Sequence, residues 1–191
     1  MRFTPIPLAV AALALSGCVS FGSEPPESLL TLTARDTAPA SAGAAATGVL
    51  SVAEFEAPPA IDATRVPVQI DDSRIAYLKN ATWVERPARL FRRLVAETVR
   101  AQTGRVVTDS DAPTLPADSY LSGTVRRFGY DARTSSVVVI FDAVRPGEGN
   151  AVETRRFEAI VPGVAADVSS VGPALNKAAN DVAVQVADWV G

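Results

Sequence analysis

The chain has no histidine among its 191 residues, one cysteine, and one methionine, the initiator. Without imidazole there is no Ser-His-Asp or Cys-His catalysis, and with a lone cysteine there is no zinc site built from His or Cys. Acid–base chemistry by carboxylates stays open. Positive charge is not in excess either. Lys and Arg total 18 against 21 Asp and Glu, for a net charge of −3, and no basic field suited to nucleic acid follows. Long apolar runs are absent. The run from Ile6 to Leu15 falls short of the roughly 20 residues needed to cross a bilayer core, and Pro5 and Pro7 interrupt it.

That run follows Arg2 and ends in Ser16 and Gly17, the layout of a secretory signal peptide. The stretch LALSGCVS places the single cysteine directly behind it. Leu15-Ser16-Gly17-Cys18 resembles the lipobox of bacterial lipoproteins, in which the cysteine becomes the new amino terminus. The resemblance implies an S-diacylglycerol and an N-acyl chain on Cys18 and no other cofactor. A sulfur bonded to lipid needs no disulfide partner, which accounts for an odd cysteine in an exported chain. The other reading, a plain signal peptide followed by a free thiol, leaves a liability in an oxidising compartment. Two or three acyl chains anchor a protein stably, whereas one does so only marginally. In lipoproteins of Gram-negative bacteria an Asp after the cysteine commonly signals inner-membrane retention. Val19 and Ser20 follow here, so the resemblance implies the periplasmic face of the outer membrane.

The expected organisation is a signal peptide over residues 1–17, a lipidated, Pro-rich tether over 18–27, and a single periplasmic domain over 28–191. Ser28–Thr33 is predicted as a strand. Asp36–Thr47, made almost entirely of small residues, is predicted as a loop. Gly48–Phe55 and Val66–Ile70 read as strands, and Asp71-Asp72-Ser73 carries turn chemistry leading into a strand over Arg74–Lys79. Pro87 opens an amphipathic helix, with Leu90, Leu94, Val95, Thr98 and Val99 at three- and four-residue spacing, and Gly104 stops it. Val106-Val107 reads as a short strand. Tyr120–Tyr130, Ser135–Val144 and Ala151–Val161 read as an antiparallel meander. Val168–Val190 is a closing helix, predicted to break early at Gly172-Pro173. Strands, helix, strands, helix in that order give an α+β fold, a mixed and largely antiparallel sheet with two main helices on one face.

The block RIAYLKNATWVERPARLFRRLVAETV, Arg74 to Val99, resembles the signature segment of the ABC-type transport auxiliary lipoproteins, the PqiC-like family. It runs aromatic, short spacer, Trp, Pro and a Leu-rich helix. YLSGTVRRFGYD, ETRRFEAIVP and the Ala-rich closing helix match the family's general form. The resemblance implies a periplasm-facing lipoprotein that works with an ABC transporter and an MCE-domain periplasmic protein. The resemblance implies that such a system moves lipids or other hydrophobic compounds between the two membranes. It also implies assembly of copies into a ring.

Several residues are open to two readings. Tyr77 and Trp83 could anchor a partner protein or fill the gap between the Arg74–Lys79 strand and the helix after Pro87. Arg86, Arg89, Arg92 and Arg93 suit a phospholipid headgroup or an acidic partner, since guanidinium binds phosphate through two parallel hydrogen bonds. They equally suit a solvated helix face screened by Glu85 and Glu97. Strand alternation predicts that one of Arg126-Arg127 and one of Arg155-Arg156 turn inward, and a buried one needs a carboxylate such as Asp142 or Glu158. The pairs Glu54/Glu56 and Asp109/Asp111 lack the spacing of a calcium loop or a hydrolase dyad. The resulting expectation is a non-catalytic docking adaptor. Its rivals are a lipid carrier with ligand between helices and sheet, and a structural or pilotin-like envelope lipoprotein.

Overall fold

The structure, a computed structural model, describes residues 28–38, 48–109 and 116–191. Cys18, the expected signal peptide and tether, Asp111, and most of the expected loop after Asp36 lie outside the described residues. The described elements are β1 (Val49–Val52), β2 (Arg65–Gln69), β3 (Ile75–Thr82), α1 (Pro87–Thr103), β4 (Val106–Thr108), β5 (Ser119–Asp131), β6 (Ser136–Pro146), β7 (Val152–Val161) and α2 (Val168–Val190).

The long strand β5 organises the sheet. On one side it continues into the expected meander, with antiparallel ladders from β5 to β6 and from β6 to β7. On the other side its first half pairs in parallel with β1, which in turn pairs with β4. Its last residues pair in parallel with β2, whose antiparallel partner is β3. The parallel ladders are two or three residue pairs long, against nine and ten in the meander, so the sheet is mixed and largely antiparallel. Gly129 makes the β2 crossing possible, since a Cβ there would stand 2.3 Å from the Pro67 carbonyl oxygen.

Both helices cover one face. α1 has Pro87 in its first turn, which needs no N–H there, and Gly104 ends it at φ +66°. The Asp167 side chain caps α2 by accepting from the Ser170 amide at 2.8 Å. The core is aromatic on the α1 side, where Phe91 lies between Phe55 (5.8 Å between centroids), Phe128 (6.1 Å) and Phe141 (5.3 Å). On the α2 side it is small-residue, with Ala178, Ala179, Val182, Ala183 and Val186 fully buried. The two helices run the same way, starting near Trp83 and ending together, where Gly191 meets Thr103.

Three local expectations are corrected. The Gly172-Pro173 break does not occur, and α2 is continuous through Pro173. Proline lacks only the N–H that would have bonded the Ser169 carbonyl near the helix start, and the apolar face beyond holds the rest. Residues 28–33 do not form a strand. They make one bridge, Leu30 to Trp83, and then take their partners from helix side chains. Arg126 and Arg127 do not divide between the two faces. The register shifts between Val125 and Arg127, so this bulge keeps both arginines on the outer face while Val125 and Phe128 both point inward.

Candidate functional site

Trp83 is 2% exposed and packs edge-on against Phe128 at 5.7 Å. Its main chain is held from two sides. The Trp83 amide donates to the Thr64 carbonyl at 2.9 Å, and Leu30 bridges it from the amino-terminal segment. The indole Nε1 has no hydrogen-bond partner among the described residues. Its position is that of a core residue at the junction of β3, α1 and the amino-terminal segment. Tyr77 lies further back on β3, half-buried, with the Arg65 guanidinium stacked 3.8 Å above its ring. The structure does not bring Tyr77 and Trp83 into one surface patch.

The arginines around the start of α1 meet carboxylates. Arg86 pairs with Asp62 at 3.2 Å, Arg89 with Glu54 at 3.1 Å and Glu85 at 3.7 Å, and Arg93 with Glu85. The hydrogen bond from Arg93 holds the Glu85 carboxyl below the usual range. Arg92, unlike the other three, is buried. Glu97 does not screen the cluster. It accepts from the Ala38 amide at 2.9 Å and from Arg100 at 3.3 Å. The face presents three exposed or half-exposed arginines beside three carboxylates.

Two further arginine–carboxylate clusters lie on the sheet. On the outer face, Asp142 accepts from Arg156 at 2.6 and 2.8 Å and from Arg126 at 2.8 Å. These bonds, Arg156's foremost, pull its carboxyl down to about 2. Asp142 thus serves outward-facing arginines rather than a buried one. Arg155, on the helix side of the edge strand β7, stays exposed and lies 5.2 Å over Phe157. At the β5–β6 hairpin the buried Asp131 accepts from Arg133 at 2.8 and 3.0 Å and from Arg127 at 3.0 Å. Its carboxyl is held far below the ordinary range, chiefly by Arg133. An acid so stabilised as its anion holds geometry and is poorly suited to donating protons at neutral pH.

A feature the sequence reading missed is the strap formed by residues 30–38. The Asn176 side chain accepts from the Thr33 amide at 2.8 Å. Asn180, 4% exposed, accepts from the Arg35 amide at 2.7 Å and donates to the Thr33 carbonyl at 2.9 Å. Arg35 then pairs with Asp181 at 2.7 Å, and Ala38 reaches Glu97 on α1. Leu30, Leu32 and Ala34 pack on the core below. The available signal was Asn176 and Asn180 at i,i+4 spacing in an amphipathic, Ala-rich helix, where an amide on a buried face needs a main-chain partner.

A cleft of about 110 Å³ lies between β2, β5 and the Pro58–Ile61 turn, lined by Pro58, Ile61, Pro67, Ile75, Phe128 and Gly129 among others. The interface between helices and sheet, by contrast, is filled, under α1 by the four phenylalanines named above and under α2 by buried alanine and valine side chains. Among the described residues no group of three or more potential ligands is placed to hold a metal ion. No described helix is long and apolar enough to cross a membrane.

The model of a family described as ABC-type transport auxiliary lipoprotein component matches residues 30–187. No curated protein matches the chain. Among solved structures, protein XCC0632 from Xanthomonas campestris, assigned to the DUF330 family, has a TM-score of 0.71 at 20% identity, covering 85% of this chain and 94% of that one. An uncharacterized protein has a TM-score of 0.67 at 14% identity, covering 86% and 100%. At such identities these likenesses speak to the fold.

Proposed function

Given that the chain belongs to the ABC-type transport auxiliary lipoprotein family, an auxiliary transport component rather than an enzyme family, we propose that it is a non-catalytic docking adaptor. It is held by lipid on Cys18 at the periplasmic face of the outer membrane. Residues 1–17 are removed on export, 18–27 form the tether, and 28–191 form the periplasmic domain. The domain engages an MCE-domain protein of an ABC transport system for intermembrane lipid movement, and copies of it assemble into a ring.

The observation that carries this reading is the family match across residues 30–187 in a chain whose only cysteine closes a lipobox-like sequence. The described site chemistry is consistent with it. The arginines at the start of α1 are tied into ion pairs that fix surface shape, and Tyr77, Arg86, Arg89 and Arg93 are the candidate partner or lipid contacts, with Trp83 buried in the core. The carrier reading has less support, because side chains fill the space between helices and sheet, the cleft beside β2 holds about 110 Å³, and the roomier depressions, about 530 Å³ beside Glu54 and Arg86 and about 420 Å³ beside Tyr120 and Val152, lie open to solvent, whereas ordinary ligand sites bury most of their ligand.

The test is affinity capture of the tagged full-length protein from detergent-solubilised envelopes, with mass spectrometry of proteins and lipids. Recovery of an MCE-domain protein is the expected result. Stoichiometric lipid without such a partner would replace the adaptor with a carrier.

A further inference from the structure

The strap fixes where the chain leaves the domain. Leu30 bridges Trp83, and Gly172 in α2 leaves room for it, since a Cβ there would meet Leu30 Cδ2 at 2.8 Å. From this point the strap follows α2 through Asn176, Asn180 and Asp181 and ends on α1 at Glu97. The residues toward Cys18 therefore depart at the end where both helices begin. On either side of the bridge, Leu29 and Val84 are 49% and 50% exposed, two large apolar side chains that the core does not use. Two residues after Val84, the start of α1 carries Arg86, Arg89 and Arg93 with their partners Asp62, Glu54 and Glu85.

We infer that this end of the domain, with Leu29 and Val84 at its centre, is a contact surface for the lipid bilayer. The inference rests on acylation of Cys18. Ten residues, 18–27, reach at most about 35 Å even when fully extended. α2, with 23 residues, is itself about 35 Å long. For the far end, where α2 stops at Val190, to meet the membrane, the tether would have to run back along the whole domain. At the near end it need not extend at all. Two half-exposed aliphatic side chains gain free energy by entering the headgroup region, and with the anchor already paid for by the acyl chains they need only orient the domain. Each of these three arginines is paired with a carboxylate, so the contact is apolar and zwitterionic in kind and is not expected to depend on anionic lipid or on salt. The opposite end, with exposed Tyr120 and Val152, then faces the periplasm and any partner arriving from it.

The experiment uses the full-length protein in vesicles of phosphatidylethanolamine, with and without phosphatidylglycerol. Single cysteines are introduced as Val84→Cys, Leu29→Cys or Val152→Cys, all at exposed positions, and labelled with a polarity-sensitive fluorophore; the acylated Cys18 does not react. Quenching by headgroup-nitroxide lipid is expected to be several-fold stronger at positions 84 and 29 than at 152, and equal in low and high salt. Equal quenching at the two ends, or stronger quenching at 152, overturns the orientation. Mass spectrometry of the Cys18 peptide separates the two failures. Acylation present with no difference between labels removes only this surface, whereas an unmodified Cys18 removes the anchor and the surface together.

Discussion

Replacing Asn180 with alanine tests the claim that the strap is clamped by α2 rather than merely lying on it. The wild-type amide makes two bonds to the strap, accepting from the Arg35 amide at 2.7 Å and donating to the Thr33 carbonyl at 2.9 Å. A third bond goes to the Asn176 carbonyl of its own helix and adds little. At about 1 kcal/mol net for each strap bond, the Asn180→Ala variant loses roughly 2 kcal/mol of strap attachment. The assay is amide hydrogen exchange, which reads local opening directly. A loss of about 2 kcal/mol is roughly a 30-fold faster exchange of the Arg35 amide. In a domain of this size, if the strap opens with the whole fold, the same loss lowers Tm by about 4–8 °C. Asn180→Asp keeps the acceptor for Arg35 but sets a buried carboxylate against the Thr33 carbonyl, so it is expected to be no better than alanine. Asn176→Ala removes a single, more exposed bond to Thr33 and should cost about 0.5 kcal/mol. An Arg35 amide that exchanges at the wild-type rate in Asn180→Ala would refute the clamp.

Other outcomes follow from the same geometry. Trp83→Phe, which removes an indole nitrogen that has no hydrogen-bond partner among the described residues, should cost roughly 1–2 kcal/mol in denaturant unfolding, below the ~3–5 kcal/mol of truncation to alanine. It should leave partner capture from envelopes unchanged. Gly129→Ala, whose Cβ would approach the Pro67 carbonyl oxygen to 2.3 Å, should force β2 from β5 and lose about 3 kcal/mol or more, seen as a lower midpoint in urea. Asp142 has a folded-state pKa near 2 against 3.8 for the free carboxyl, so the unfolded chain takes up the proton first as pH falls. The stability it contributes is complete above about pH 4 and is lost on acidification toward pH 2. Because Arg126 and Arg156 are more than half exposed, that contribution is at most about 1 kcal/mol. Asp142→Asn should therefore lower stability slightly at pH 7 and match wild type near pH 2. Cys18→Ala should move the protein from the membrane to the soluble fraction on centrifugation, with an unchanged circular dichroism spectrum.

The meander, the β2–β3 turn and α1 were legible in the sequence because local chemistry decides them. Period-two runs separated by turn residues, Asp71-Asp72-Ser73 between two β segments, and Pro87 and Gly104 at the two helix limits all act within a few residues. Where the expectations failed, a distant partner had overruled a local signal. Leu30 looks like part of a strand, but the groups that satisfy the backbone after it are Asn176 and Asn180, more than 140 residues away. Pro173 looks like a helix stop until a long buried face downstream outweighs one missing bond. The site residues divide in the same way. The charges beside Arg86, Arg89 and Arg93 could be read from Glu85 nearby, whereas Asp62 and Glu54 reach them only through the fold.

The sequence by itself determined what can be written in short-range chemistry: the absence of histidine-based catalysis, the single cysteine behind an apolar run, the order of elements from residue 48 onward, and the Trp-Pro-helix signature that carries the family. Only the tertiary structure decided which face each arginine occupies, since one bulged residue at Arg126 reverses the alternation of everything after it. It alone buried Trp83, because exposure depends on what packs against a residue from elsewhere in the chain. And it alone fixed the point at which the chain leaves the domain, since the direction of the strap is set by hydrogen bonds to a helix that the sequence places last.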